Sequence, residues 1–510
     1  MKLRKIRITL AMVFFIGTTL LFLDFTGTLR HWIGWMAKVQ FLPAVLALHA
    51  LVVVGLLLLT LLFGRIYCSI ICPLGVFQDF AARLGRMGKR HSYGYSPEKR
   101  LLRYTILVVF IAALVAGIPA IYTLLAPYGS YGRMAQSLFQ PVYELVNNLL
   151  AAGAERADSY AFYSTDIWMR SSLTFSVALI TFFLVGFLAW RNGRTYCNTI
   201  CPVGTFLSLF ARYSWFKVVF NPEKCRQCSA CSKSCKAAAI NFKQMTVDYS
   251  RCVACGNCLE QCNFEALHYV GRGLERKWKA AQKEPQPRHD TKEKDTLQHA
   301  EHPDTSRRHF LLAAAMATTA SIMAQKEKKV DGGLAPIIGK EAPKRKTPLT
   351  PPGSQSARNM AQHCVACQLC VAECPNGVLR PSTHLDTLMQ PTMSYERGFC
   401  RPECSCSRVC PTGAIHRVSR AEKSAIHIGH AVWVKSNCVP VTKGDECGNC
   451  ARHCPAGAIT MVPYETPNGE VMVPAVDESR CIGCGACEYL CPARPFPAIY
   501  VEGHEVHRVE

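Results

Sequence analysis

The sequence predicts a membrane α-helical bundle of four transmembrane helices plus a fifth, Tat-like crossing, carrying α+β ferredoxin-like 4Fe-4S domains. Three observations predict it: long uncharged apolar stretches in the first 190 residues, a Cys-x3-Cys-Pro motif that occurs twice, and six sets of four cysteines at or near ferredoxin spacing. Of 28 cysteines in 510 residues, sixteen lie between Cys364 and Cys491 and none between residues 263 and 363. Discrete metal modules cluster in this way. The formal charge of +22 first suggests nucleic acid. Six oxidised four-iron cages at about −2 each would leave about +10, and much of the remainder flanks apolar spans, so no nucleic-acid partner is expected.

The first domain, residues 1–215, holds four apolar stretches near Ile6–Leu23, Phe41–Phe63, Leu101–Leu125 and Ser172–Trp190. Each approaches or exceeds the roughly 20 helical residues that cross a hydrocarbon core. A buried helix of a soluble protein is a poor alternative for the second, FLPAVLALHALVVVGLLLLTLLF, which has no Asp, Glu, Lys or Arg. Lys and Arg set the orientation: fifteen lie in the flanks 1–7, 64–100 and 191–220, against five in 24–40 and 126–171. The bacterial inner membrane is thus expected, with the N-terminus cytoplasmic.

The second and fourth spans end in related text, GRIYCSIICPLGVF from Gly64 and GRTYCNTICPVGTF from Gly193, identical at nine of fourteen positions. Pseudo-twofold packing would bring Cys68, Cys72, Cys197 and Cys201 together. Four such thiols would hold a metal or a seventh cluster, form a reducible dithiol couple, or pack as structural thiols. Recurrence of the whole motif favours a redox or ligand role. His49 lies inside the second span, where an ionisable group is costly unless paired or facing a polar cavity. It is a candidate acceptor of a quinol proton, or a neutral imidazole bonded to a neighbouring helix.

Residues 216–270 carry Cys225, Cys228, Cys231 and Cys235, then Cys252, Cys255, Cys258 and Cys262. Three cysteines two residues apart wrap one cubane, and the fourth reaches the partner cubane. One cluster is expected on Cys225, Cys228, Cys231 and Cys262, the other on Cys252, Cys255, Cys258 and Cys235. Zinc ribbons pair two distant knuckles and lack this three-in-a-row pattern.

Residues 271–305 form a polar linker. In 306–325, Ser306-Arg307-Arg308-His309-Phe310-Leu311-Leu312 precedes an Ala-rich apolar stretch, as in a Tat export signal or a fifth membrane segment. A route for folded cargo suits clusters that are assembled in the cytoplasm. A Lys/Pro-rich tether, 326–355, leads to a periplasmic four-cluster domain, 356–510. Its first and last sets, Cys364, Cys367, Cys370, Cys374 and Cys481, Cys484, Cys487, Cys491, are regular. The second, Cys400, Cys404, Cys406, Cys410, is contracted, and the third, Cys438, Cys447, Cys450, Cys454, is expanded. Each ends in Cys-Pro, so both are read as iron ligands. Disulfides are a poor alternative, because neighbours two residues apart in compact loops cannot bridge every other cysteine. The six sets use 24 cysteines and the membrane pairs the other four.

The four-span half with its repeated GR-x-YC-x3-CP-x-G and two-cluster tail resembles a NapH-type membrane quinol dehydrogenase subunit. The half with SRRHFLL, a PPG tether and CIGCGACEYLCPARPFPAIYVEG resembles a NapG/MauM-type periplasmic polyferredoxin. The resemblance implies a fusion that passes electrons from the quinone pool, through quinol as donor, to a periplasmic reductase or electron-carrier protein. It also implies that the first C-terminal set exchanges its fourth ligand with the last, and the second with the third. The alternative function is a redox assembly or regulatory polyferredoxin that reduces or senses a metal centre. No Walker loop, flavin fingerprint or Ser-His-Asp set is evident.

Overall fold

A computed structural model describes residues 2–24, 28–87, 93–156, 158, 162–165, 167–273, 339–467 and 469–509. The Tat-like segment 306–325 lies outside them. Among the described residues two helices, Arg4–Leu23 and Ser172–Asn192, are long and apolar enough to cross a membrane; Ala50–Phe63 and Pro202–Ala211 are apolar but shorter.

The expectation of four unbroken spans therefore fails at the second and third. The second divides into helices Phe41–Leu46 and Ala50–Phe63, with Leu48 at φ 53° between them. The third divides into Arg100–Val115 and Pro119–Leu125. There Gly117 takes φ 68° and Pro119 starts a new helix rather than continuing the old one. Four further pieces continue the domain: Pro73–Met87 and Pro202–Ala211 after the two repeats, then Pro127–Met134, buried throughout, and Gln140–Glu155.

The longer helices turn many large apolar side chains outward, and Ser172–Asn192 buries a stripe of mostly small residues. Ser172–Asn192 buries Thr174, Ala178, Val185 and Ala189 and exposes Ile180, Phe183, Leu184 and Phe187. Lys2–Leu23 exposes Met12, Val13, Ile16 and Leu20, and Arg100–Val115 exposes Val108, Ile111 and Val115. A helix surrounded by water shows the opposite pattern.

Two α+β units flank this helical body. In the first, strand Phe216–Phe220 pairs antiparallel with Leu267–Gly271, Val218 opposite Tyr269, and Ile240–Asn241 pairs with Thr246–Val247. In the second, Ile426–Trp433 pairs with Ile499–Val509, Ala431 opposite Val501, beside the hairpin Ile459–Thr466 with Gly469–Val476. The two units sit at opposite ends of the first helix. At its start Arg4 pairs with Glu260 of the first unit. Past its end Arg30 pairs with Glu373 of the second, and Phe22 and the Cys367 carbonyl both press on Gly132. The 22 residues of that helix separate them by about 33 Å at 1.5 Å per residue.

Candidate metal centres

The regular cysteine loops share one backbone device. On either side of the second cysteine a residue takes left-handed φ: Gln227 and Ser229, Ala254 and Gly256, Ala366 and Gln368, Gly483 and Gly485. Successive turns of this kind point backbone N–H groups into a concavity suited to an anionic cage.

The two irregular sets keep this frame. In each regular set the left-handed residue lies two before the third cysteine. In the second C-terminal set that position is Cys404 itself, at φ 44°, and Glu403 stands where the second cysteine would be. The contraction is thus a thiol moved by one residue. Its side chain still lines the cavity shared by Cys374, Cys400 and Cys406. In the third set Gly448, at φ 152°, keeps the position, while Gly444 stands where the first cysteine would be. Cys438, before helix Val439–Lys443, takes over that role.

The 24 cysteines fall into six quartets. In the first unit Cys225, Cys228, Cys231 and Cys262 line one cavity, and Cys235 joins Cys252, Cys255 and Cys258, as the spacing predicts. In the second unit the exchange expected from the resemblance is corrected. Cys410 joins Cys364, Cys367 and Cys370, and Cys374 joins Cys400, Cys404 and Cys406. Cys491 joins Cys438, Cys447 and Cys450, and Cys454 joins Cys481, Cys484 and Cys487. Sets adjacent in sequence pair, because each fourth cysteine leaves its short helix toward the neighbouring loop.

These quartets fit iron–sulfur cages. In the Cys225 and Cys481 quartets, three thiols of one compact loop and a fourth from the paired set line a single cavity, the ligand pattern of two-cluster ferredoxins. Burial pushes the Cys231 and Cys235 thiols up to about 11 and Cys252 and Cys367 up to about 12. Bare, they keep their protons at neutral pH, and a bound metal displaces them. Backbone N–H groups donate to the fourth cysteines: Ala266 to Cys262 (3.3 Å), Ile415 to Cys410 (3.4 Å), Ala458 to Cys454 (3.3 Å) and Ala498 to Cys491 (3.2 Å). Such bonds raise cluster potentials. Buried Lys423 donates to the carbonyls of Cys400 (3.1 Å) and Arg401 (2.8 Å). The Cys404 thiol beside Cys400, together with Lys423, holds the Cys400 thiol below its ordinary value.

The repeat quartet also converges: Cys201 feels Cys197, Cys72 and Cys68. The repeats clasp each other through their arginines, which sequence reasoning missed as functional residues. Arg65 donates to the Cys197 carbonyl (3.0 Å), and Arg194 donates to the Cys68 carbonyl (2.6 Å). Gly204 and Gly75, the last glycine of each motif, leave room for these crossings. Both arginines are fully buried. Arg194 pairs with Asp79, whereas no carboxylate pairs with Arg65 among the described ion pairs. His49 is exposed at the N-cap of Ala50–Phe63, next to Ala47, which meets Gly413 of the second unit.

Two family descriptions match the chain. "4Fe-4S binding domain" covers residues 46–90 and 173–222, which hold the repeat quartet and no other cysteine. "4Fe-4S dicluster domain" covers 444–494, across the third and fourth C-terminal sets. The methylamine utilization ferredoxin-type protein MauM of Paracoccus denitrificans is 34% identical over 164 residues, 31% of this chain and 73% of the relative. The chain belongs to the MauM ferredoxin-type family. MauM of Methylobacillus flagellatus is 34% identical over 151 residues, 28% of this chain and 64% of the relative, so the chain spans just under two thirds of that protein. Ferredoxin-type protein NapF of Escherichia coli is 26% identical over 177 residues, 34% of this chain and 99% of the relative. No solved structure matches. The chain is a ferredoxin-type iron–sulfur electron-transfer protein.

Proposed function

We propose that the chain is anchored in the cytoplasmic membrane and passes electrons from quinol to a periplasmic reductase or carrier protein. The carrying observation is the placement of two multi-cysteine units at opposite ends of an apolar 22-residue helix. The outward-facing apolar side chains and the Lys/Arg excess on one flank support a multi-pass body whose first unit is cytoplasmic. The N-terminal half then acts as a NapH-type quinol dehydrogenase subunit fused to the exported half.

Six [4Fe-4S] clusters supply one-electron carriers on the six quartets. The chain's own residues set their order in the second unit. The Cys364 quartet lies against the helical body, where Gly129 and Gly132 admit the carbonyls of Val365 and Cys367. The Cys374 quartet adjoins it through Cys406 and Cys370. The Cys400 N–H donates to the Cys484 carbonyl (2.9 Å), leading to the Cys481 quartet. Cys487 then neighbours Cys450 of the Cys438 quartet, the distal end. The repeat quartet is a further metal centre, since buried Arg65 has no carboxylate partner among the described ion pairs and an anionic centre would balance it. Labelled iron retained after all downstream cysteines are replaced supports that centre; a metal-free product refutes it.

Anaerobic membranes given a reduced quinol test the whole reading by EPR. Cluster reduction followed by reoxidation by a periplasmic electron sink is expected in wild type. Cys481→Ser breaks the order before the distal quartet, so quinol still reduces signals upstream while the sink no longer drains them. Quinol that leaves every wild-type signal unchanged refutes the donor.

A further inference from the structure

A cleft opens between the first helix and the Pro73–Met87 helix, beside the first ferredoxin unit. It encloses ≈ 1130 Å³ of empty space, part of it open to solvent. Its mouth is apolar, with Ile8 and Met12 on one helix and Val76 and Phe80 on the other. Met12 and Phe80 are 45% and 60% exposed, on the side where the helices turn large apolar residues outward.

The floor is charged. The Asp79 carboxylate accepts from Arg7 (3.0 Å) and Lys236 (2.6 Å), and from Arg194 behind them (2.6 Å). Arg7 is 8% exposed and is held in place by Asp79 and by the Ser69 carbonyl, to which it donates (3.4 Å). The Arg7 side chain lines the cleft, which places a guanidinium beside an acceptor oxygen bound there. Redox cysteines stand on two sides: Lys236 follows Cys235, Asn257 on the cleft wall precedes Cys258, and Val76 lies one turn after Cys72.

We infer that this cleft receives the head group of a membrane quinone, its ring oxygen accepting from Arg7 and its tail leaving between Met12 and Phe80. The inference rests on the quinol reading above and gives it a site, at the end of the molecule opposite His49. An anionic lipid phosphate is the competing occupant, drawn by exposed Arg83 and Arg86 at the rim. Charge alone draws a phosphate here, since Asp79 is already paired with Arg7, Lys236 and Arg194; the cysteines on two sides of the cleft favour a redox-active occupant instead.

The test uses the full-length iron-loaded protein in phosphatidylcholine nanodiscs with tritiated decyl-ubiquinone as probe. Saturable binding of one probe per chain is expected, weakened about tenfold or more in Met12→Trp and in Val76→Phe. His49→Ala should bind like wild type. Unchanged iron content and visible absorbance certify that each variant is folded. Absence of saturable binding, or equal affinity in wild type and both cleft variants, overturns the site. So does displacement of the probe by cardiolipin that disappears in Arg83→Ala/Arg86→Ala, since a lipid head group then owns the cleft. If wild type is reduced by quinol while both cleft variants bind and respond as wild type, the site falls and the quinol reading survives. If the probe binds as expected but quinol reduces no cluster, the site stands and the quinol reading falls.

Discussion

Single residues carry the clasp between the repeats. A Cβ at Gly75 would collide with the Cys68 carbonyl, the atom that Arg194 of the other repeat grips. Gly75→Ala should therefore destabilise the helical body by about 1–3 kcal/mol, the usual cost of overpacking, read as a lowered melting temperature in detergent. A second residue sets an acid limit. His507 is buried against Thr350 (3.0 Å), and burial lowers it from 6.5 to about 4. A depressed histidine leaves the folded state intact above the unfolded value and weakens it as pH falls from 6.5 towards 4, by up to about 3 kcal/mol. Hydrogen exchange of strand Ile499–Val509 should accelerate over that window in wild type and less in His507→Gln, which keeps a partner for Thr350. The cysteines of the repeat were legible because their spacing is itself the signal. The crossing of Arg65 and Arg194 was not, although both stand in the repeated text, because a pair related by pseudo-symmetry reveals its partner only after packing.

At the scale of elements, the ferredoxin loops were the most legible part. Their chemistry is largely local, since seven consecutive residues carry three of the four thiols that share a concavity in each regular set. The irregular sets were harder, because reading cysteine gaps alone hides the constant position of the left-handed residue before the third thiol. Glu403→Cys combined with Cys404→Gly would return the second set to the regular frame. It should keep full iron content and relieve the left-handed strain at a non-glycine residue, worth about 1–2 kcal/mol, with a shifted EPR signal from the Cys374 quartet alone. Loss of iron from that quartet would show that the displaced thiol is required. The spans were legible as apolar text but not as helices. Hydropathy averages across Leu48 and Gly117, where backbone dihedral angles interrupt the helix without changing polarity. Helix Gln140–Glu155 escaped notice because its polar residues dilute an outer face that carries Val142, Leu145, Val146 and Leu149.

For the molecule as a whole, the exchange of fourth ligands shows the limit of resemblance. Which sets pair depends on the path between them, and here each pair of neighbours closes before the next begins. Topology is open to direct test. In spheroplasts, added protease should remove residues beyond 326 and leave the Cys225–Cys262 unit intact, whereas full protection of the C-terminus would place both units inside. The seam between the halves is specific: the Tyr122 hydroxyl donates to the Ala361 carbonyl, and Arg133 donates to the Ala366 carbonyl (3.4 Å).

That seam bears on how the protein is made. Pro127–Met134 is wholly buried, with its two glycines filled by backbone from the Cys364 loop. Until that loop docks, Tyr128 and the notches beside it have no cover, so the earlier-synthesised half waits unfinished for a later portion of the chain. Biogenesis is then sequential, and a chain stopped at residue 325 should accumulate as an unstable, protease-prone fragment rather than as an independent quinol-binding subunit.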